Sequence, residues 1–119
     1  MSAMSEILLK ASNALRFRDE VKPNAWAEAN RYLPPSMTNN PGMWDASLTP
    51  YLIGIVDALV EPGVEKIVVL KAVQIGYSEG VLRNGMAYTI ECDPGPTLLV
   101  MPSEDAAVNT LSERVYPML

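Results

Sequence analysis

An α/β fold is expected from the sequence: a parallel sheet built in β-α-β-α order, preceded by a helical N-terminal segment. Three observations predict it. Lys66–Leu70 (KIVVL) and Thr97–Met101 (TLLVM) are short, near-continuous apolar runs, the pattern of strands buried on both faces of a parallel sheet. Between them Ser78 to about Cys92 is long enough for a helical crossover, which parallel strands require and which winds right-handed. Residues 5–20 carry Ile7, Leu8, Ala11 and Leu15 on one face at helical spacing.

Taken in order, the first helix is expected over 5–20, with Ser5 as its cap and its apolar face packed. Asn24 is expected to cap a second short helix, AWAEANRYL, ended by Pro34-Pro35. The stretch PPSMTNNPGMWDAS reads as a long loop. Thr49-Pro50 reads as a helix start, a hydroxyl cap followed by proline where its missing N–H costs nothing. That helix should stop at Pro62-Gly63. Gly80 and Gly85 weaken the crossover helix by up to about 1 kcal/mol each unless they permit close packing. Asp93-Pro94-Gly95-Pro96 is a turn. Ser103 should cap a last helix with Glu104 and Asp105 in its first turn, the sign the helix dipole favours, and Val108, Leu111 and Val115 as its apolar face. Trp26 and Trp44 are expected to pack. Two strands alone leave both edges of a sheet unpaired, so either further strands lie in the first half or, the favoured reading, these residues are the front part of a larger domain.

Length and composition bound the function. The 119 residues, 49% apolar and 19% charged, make about one small globular domain. A net charge of −5 with no visible basic patch argues against tight nucleic-acid binding by this segment alone. Cys92 is the single cysteine, so no internal disulfide forms, which fits a reducing compartment. With no histidine, a Ser-His-Asp triad, histidine acid–base chemistry and the usual zinc sites are excluded. Tyr51–Val60 is too short for a membrane span and contains Asp57, and Glu6 stands where a secretory signal wants positive charge, so a cytoplasmic protein is expected.

The chemistry concentrates in Lys66 to Gly80, KIVVLKAVQIGYSEG. An apolar strand, a loop with one glycine, and a serine opening a helix form the order of parts in a phosphate-binding unit. Against the usual G-x-x-x-x-G-K-[ST] pattern, Gly76 and Ser78 match. Tyr77 takes the lysine position and Lys71 the first glycine position, so the lysine stands at the other end of the loop. Such loops grip phosphate mainly through backbone N–H groups, and an ammonium on a flexible stem can reach from the strand end. On this reading Ala72, Val73, Gln74, Ile75, Gly76 and Tyr77 form the cradle, Lys71 meets the β/γ-phosphates and Ser78 coordinates Mg²⁺. Gln74 faces the loop interior and is the candidate for a catalytic role, orienting a water or touching the γ-phosphate. By itself K-x-x-x-x-G-Y-S favours a plainer reading, an ordinary βα turn with Ser78 as the helix cap. A dinucleotide-binding fold is a poor fit, since only Gly76 and Gly80 lie near the first turn, in the wrong register.

An ordered set of motifs tips the balance. Trp26-Ala-Glu, Tyr32-Leu-Pro, Pro41-Gly-Met-Trp44, Thr49-Pro-Tyr51-Leu, Val56-Asp-Ala-Leu59, Lys71 to Ser78, Asp93-Pro-Gly-Pro96 and Val100-Met-Pro-Ser103 together resemble the start of a bacteriophage terminase large subunit of the GpA type. The resemblance runs from about Trp26 to Leu119. It implies a partial P-loop NTPase-like fold, with residues 1–60 as the helical lead-in, long loop and adenine-side segment, and 61–119 as the first βαβα portion of the ATPase domain. It implies ATP and Mg²⁺ as cofactors and a motor that drives viral double-stranded DNA into the capsid and cuts it. Terminase small subunit, portal protein and a possible homo-oligomer follow as partners, in the bacterial host cytoplasm. It places Tyr51 beside the adenine; an aromatic face stacks on a base for about 1–3 kcal/mol, and a core-facing role fits Tyr51 equally well. The strand TLLVMPS resembles the motif that couples nucleotide state to DNA in helicase-like ATPases. No apolar strand ends in Asp-Glu and no nuclease acidic cluster is present, so hydrolysis by these residues alone is not expected. A truncated prophage remnant, or a non-catalytic module that contacts other proteins, is the competing expectation.

Overall fold

The computed structural model describes residues 2–15 and 21–118. Helix α1 spans Ala3–Ala14 and is capped by Ser2, whose hydroxyl accepts from the Ser5 N–H. The cap lies three residues earlier than Ser5, and no residue of α1 is buried, so the expected packing face is not used. Residues 16–20 of the expected helix lie outside the described residues. Helix α2 spans Pro23–Asn30, with Pro23 at a first-turn position where no N–H is needed. Asn24 lies inside this helix rather than capping it, and its N–H is taken up instead by Asp57 Oδ1 at 2.9 Å.

The expected parallel β-α-β-α sheet is not formed. Helix accounts for 58% of the structure. Among the described residues the sheet is one antiparallel pair, β1 (Tyr32–Leu33) and β2 (Gly42–Met43), with Tyr32 opposite Met43 and Leu33 opposite Gly42. β1 lies where the second helix was expected to continue, and β2 lies inside the expected loop. Residues 64–72 and 94–101 run without regular structure and do not pair. The physical reason is that apolar content permits burial but does not create it: a strand exists only through a neighbour's ladder. Leu70 is 102% exposed and Leu98 86% exposed, so neither has a covering layer.

The segment after Thr49 is helical, as Pro50 suggests, but in three short pieces. Two 3₁₀ turns, Pro50–Leu52 and Ala58–Val60, flank α3 (Ile53–Asp57). Thr49 makes no side-chain cap bond, and its hydroxyl is buried without a partner among the described residues. The chain then leaves at Pro62-Gly63, with Gly63 at φ 84°. The crossover helix is present as one continuous rod: a π-helical stretch, Ser78–Arg83, runs into α4 (Asn84–Cys92). Ser103 caps α5 (Glu104–Thr110) by accepting from the Ala106 N–H, and a second π-helical stretch follows at Leu111–Val115.

Two small cores meet this rod. Trp26 and Ala27 of α2 pack on Ala87, with Trp44, Tyr88 and Cys92 around them. The rings of Trp26 and Tyr88 meet edge to face at 6.1 Å. The other core joins Leu52, Val56 and Val81, flanked by Ile75 and Tyr77. Both glycines of the rod serve close approach. A Cβ on Gly80 would stand 2.6 Å from Leu52 Cδ1, and one on Gly85 would stand 2.6 Å from Leu59 Cδ1. Asp57 ties α3 to the start of α2 through its bond to Asn24. Asp57→Ala should therefore cost about 1 kcal/mol, measured by urea unfolding, as for removal of a helix cap.

Candidate functional site

The loop 71–77 connects the extended segment to the rod. Two residues turn it: Gln74 at φ 56° and Gly76 at φ 82°. For Gln74 this left-handed backbone costs of order 1 kcal/mol. At Gly76 the conformation, not the space, requires glycine, since a Cβ there would meet Thr49 Cγ2 at an ordinary 3.5 Å. The Gly76 carbonyl then accepts from the Gly80 N–H at 2.8 Å, which closes the first turn of the rod. The helix cap is Tyr77, without a side-chain cap bond. Ser78 is the first helical residue and is exposed, so it is not the cap of an ordinary βα turn.

The structure brings Lys71 and Tyr77 together across the loop. The Lys71 ammonium lies over the Tyr77 ring, 5.4 Å from its centroid. Tyr77 is half-buried against the Leu52–Val56–Val81 core, so its ring is a fixed platform for an otherwise exposed cation. Tyr51 reaches the same loop from the other side. Its hydroxyl donates to the Ile75 carbonyl at 2.8 Å while the residue stays 55% exposed, which does not fit the core-facing alternative. Ala72, Val73 and Gln74 are exposed along the loop, and Ile75 is half-buried.

Behind Ser78 lies a charge network that sequence reasoning missed. Glu79 pairs with Arg83 one turn on and with Arg31 at 3.1 Å, and Arg114 stands 4.0 Å away. Arg31 is buried, and donates also to Asn84 Oδ1 at 2.6 Å; the fully buried Asn84 donates to the Gly80 carbonyl. Burial lowers the pKa of Arg31. Burial, with Arg114 and Arg31 nearby, lowers that of Arg83 to about 10. Arg83 is charged at neutral pH, so its burial, and then its repulsion by Arg114 and Arg31, is a standing cost of the fold, relieved only as pH rises through about 10. The Glu79/Arg83 spacing was the one readable trace of this network, as an i,i+4 helical pair.

Among the described residues, no group of three or more acidic, cysteine or histidine side chains could hold a metal ion, and no helix is long and apolar enough to cross a membrane. A magnesium ion held mainly by phosphate oxygens and one hydroxyl needs no such cluster, and the exposed Ser78 at the head of the rod fits that donor set.

A family model described as phage terminase large subunit gpA, ATPase domain, matches residues 38–119. The large subunit of terminase from Escherichia phage lambda is 31% identical over 94 residues, which cover 79% of this chain and 14% of that relative. The chain therefore spans a small part of the length of the curated relative it matches. No solved structure matches it.

Proposed function

This chain belongs to the family of phage terminase large subunits of the gpA type, through their ATPase domain, and on that premise we propose that residues 71–78 hold the triphosphate of ATP with its Mg²⁺. Membership of an ATPase-domain family implies nucleotide binding. The observation that carries the finer reading is the Lys71–Tyr77 stack at the rim of a loop turned by Gln74 and Gly76. The tyrosine that replaces the usual lysine supports the displaced one.

Each side chain has a part. Lys71 supplies positive charge to the β/γ-phosphates. Gly76, at φ 82°, lets the backbone approach the phosphates, and the head of the rod adds the positive end of its dipole. Ser78 offers its hydroxyl to the metal, which neutralises and bridges phosphate oxygens. Tyr51, tethered to Ile75, offers an exposed ring for the adenine face. Gln74, exposed on the loop, would orient a water. In a full-length terminase these residues would power a DNA-packaging motor acting on viral double-stranded DNA with a small subunit and a portal. DNA would be gripped elsewhere, because this segment is acidic.

Thermal unfolding with and without ATP·Mg tests the proposal. A ligand at 100 times its Kd should stabilise the chain by about 2.7 kcal/mol. Lys71→Ala should weaken binding roughly tenfold or more, since charge-assisted phosphate bonds are worth about 1.5–3 kcal/mol. Tyr77→Ala should weaken it less, by freeing the lysine rather than removing it. Unchanged affinity in Lys71→Ala would refute the role of that cation. A flat response of the wild-type chain would favour the non-catalytic interaction module.

A further inference from the structure

We propose that Arg31, Arg83 and Arg114 form a second anion site, specific for a phosphate group that approaches from the half-exposed Arg114 side. The first ground is the charge count. Three guanidinium groups share one carboxylate, Glu79, in the salt bridges found among the described residues. Two positive charges are left over, in a chain whose net charge is −5. Three of its nine cationic side chains thus converge on a largely buried spot. A stability role alone does not need the surplus, because like charges in low dielectric oppose folding.

The second ground is unused donor capacity. Each guanidinium carries five N–H donors in a planar fork that suits phosphate oxygens. The Nε of Arg83 is buried and has no partner among the described residues. Arg114 donates to the Met37 carbonyl at a long 3.3 Å and stays 4.0 Å from Glu79, so its hold on the protein is loose. Its side chain is 37% exposed, against 5% for Arg31. An incoming dianion would hold Arg114 directly and offset the surplus charge of Arg31 and Arg83 through space.

The third ground is backbone geometry. Arg83 and Arg114 both come from π-helical stretches, Ser78–Arg83 and Leu111–Val115. Such stretches are rare and recur at functional sites. The void behind Arg83, lined also by Ser78, Leu82 and Thr110, has about 40 Å³. That is room for about one water. The phosphate therefore comes from the outer side, where Arg114 meets solvent.

The inference does not depend on the loop 71–78, and its test separates the two. The whole chain is titrated calorimetrically with inorganic phosphate at constant ionic strength, with chloride as the balancing salt. Saturable phosphate binding is expected. Arg114→Gln, at a half-exposed position, should keep its melting temperature in the absence of phosphate and bind at least about tenfold more weakly. Lys71→Ala, which removes the loop's cation, should still bind phosphate at this site. Displacement of phosphate from the Lys71→Ala chain by ATP·Mg would make a nucleotide the source of the group. Displacement by a short DNA duplex would make it a nucleic-acid backbone, and either result supports the site. Binding no tighter than that of chloride would overturn the proposal. So would binding lost in Lys71→Ala and kept in Arg114→Gln, an outcome that leaves the nucleotide reading of the loop intact.

Discussion

Glu79→Ala is expected to destabilise the chain by about 3–5 kcal/mol, the cost of removing one partner from a buried ion pair. The carboxylate is the shared counter-charge for Arg31 and Arg83, and Arg114 stands near it. Without it three guanidinium groups face one another, and Arg31, at 5% exposure, cannot turn to water. Domains of this size have about 5–15 kcal/mol in all. The variant should therefore show a large drop in urea midpoint, or fail to fold, whereas Arg114→Gln should shift it little. A Glu79→Ala loss under about 1 kcal/mol would mean that the arginines reach solvent and that the network is a surface feature.

Leu52→Ala should cost about 2–5 kcal/mol, because Leu52 is 2% exposed and anchors the core beside the loop. The same side chain sets the price of a change on the rod. Gly80→Ala would put a Cβ 2.6 Å from Leu52 Cδ1 and 3.2 Å from the Trp44 ring, an overpacking worth about 1–3 kcal/mol. Shortening Leu52 removes the closer of those contacts. The two substitutions together should then cost less than their sum, by at least about 0.5 kcal/mol in a double-mutant cycle. Strict additivity would show that Leu52 swings aside at no cost and that Gly80 is not kept for close approach.

What could be read from the residues was local. Pro62-Gly63 stops one helical segment, Ser103 starts another, and Ser78 to Cys92 is helical as its length and pattern indicate. The glycines at 80 and 85 weaken a helix unless they permit close packing, and Leu52 and Leu59 supply it. What failed was distant in sequence. The sheet was inferred from two apolar runs, but a run carries no information about which strand lies beside it. The periodicity of α1 predicts a packing face, and nothing buries that face among the described residues. In the candidate site, Lys71, Gly76 and Ser78 can be grouped from the sequence because they sit on one loop, and their part in binding phosphate is the proposal made above. That Tyr77 carries the Lys71 ammonium was not legible, because the cost of an aromatic in the lysine position hid its use. Arg31 and Arg114 were invisible, since they lie 48 and 35 residues from Glu79 along the chain and only the fold brings them to it.

The bare apolar stretches on either side of the rod have a practical corollary. Val68, Leu70, Leu98 and Val100 stand in water with no layer over them. Sticky, ladder-free backbone of this kind recruits any similar segment that drifts past. Isolated at high concentration, these residues should therefore self-associate, read as light scattering that rises with concentration, and lysine in place of Leu70 and Leu98 should suppress it.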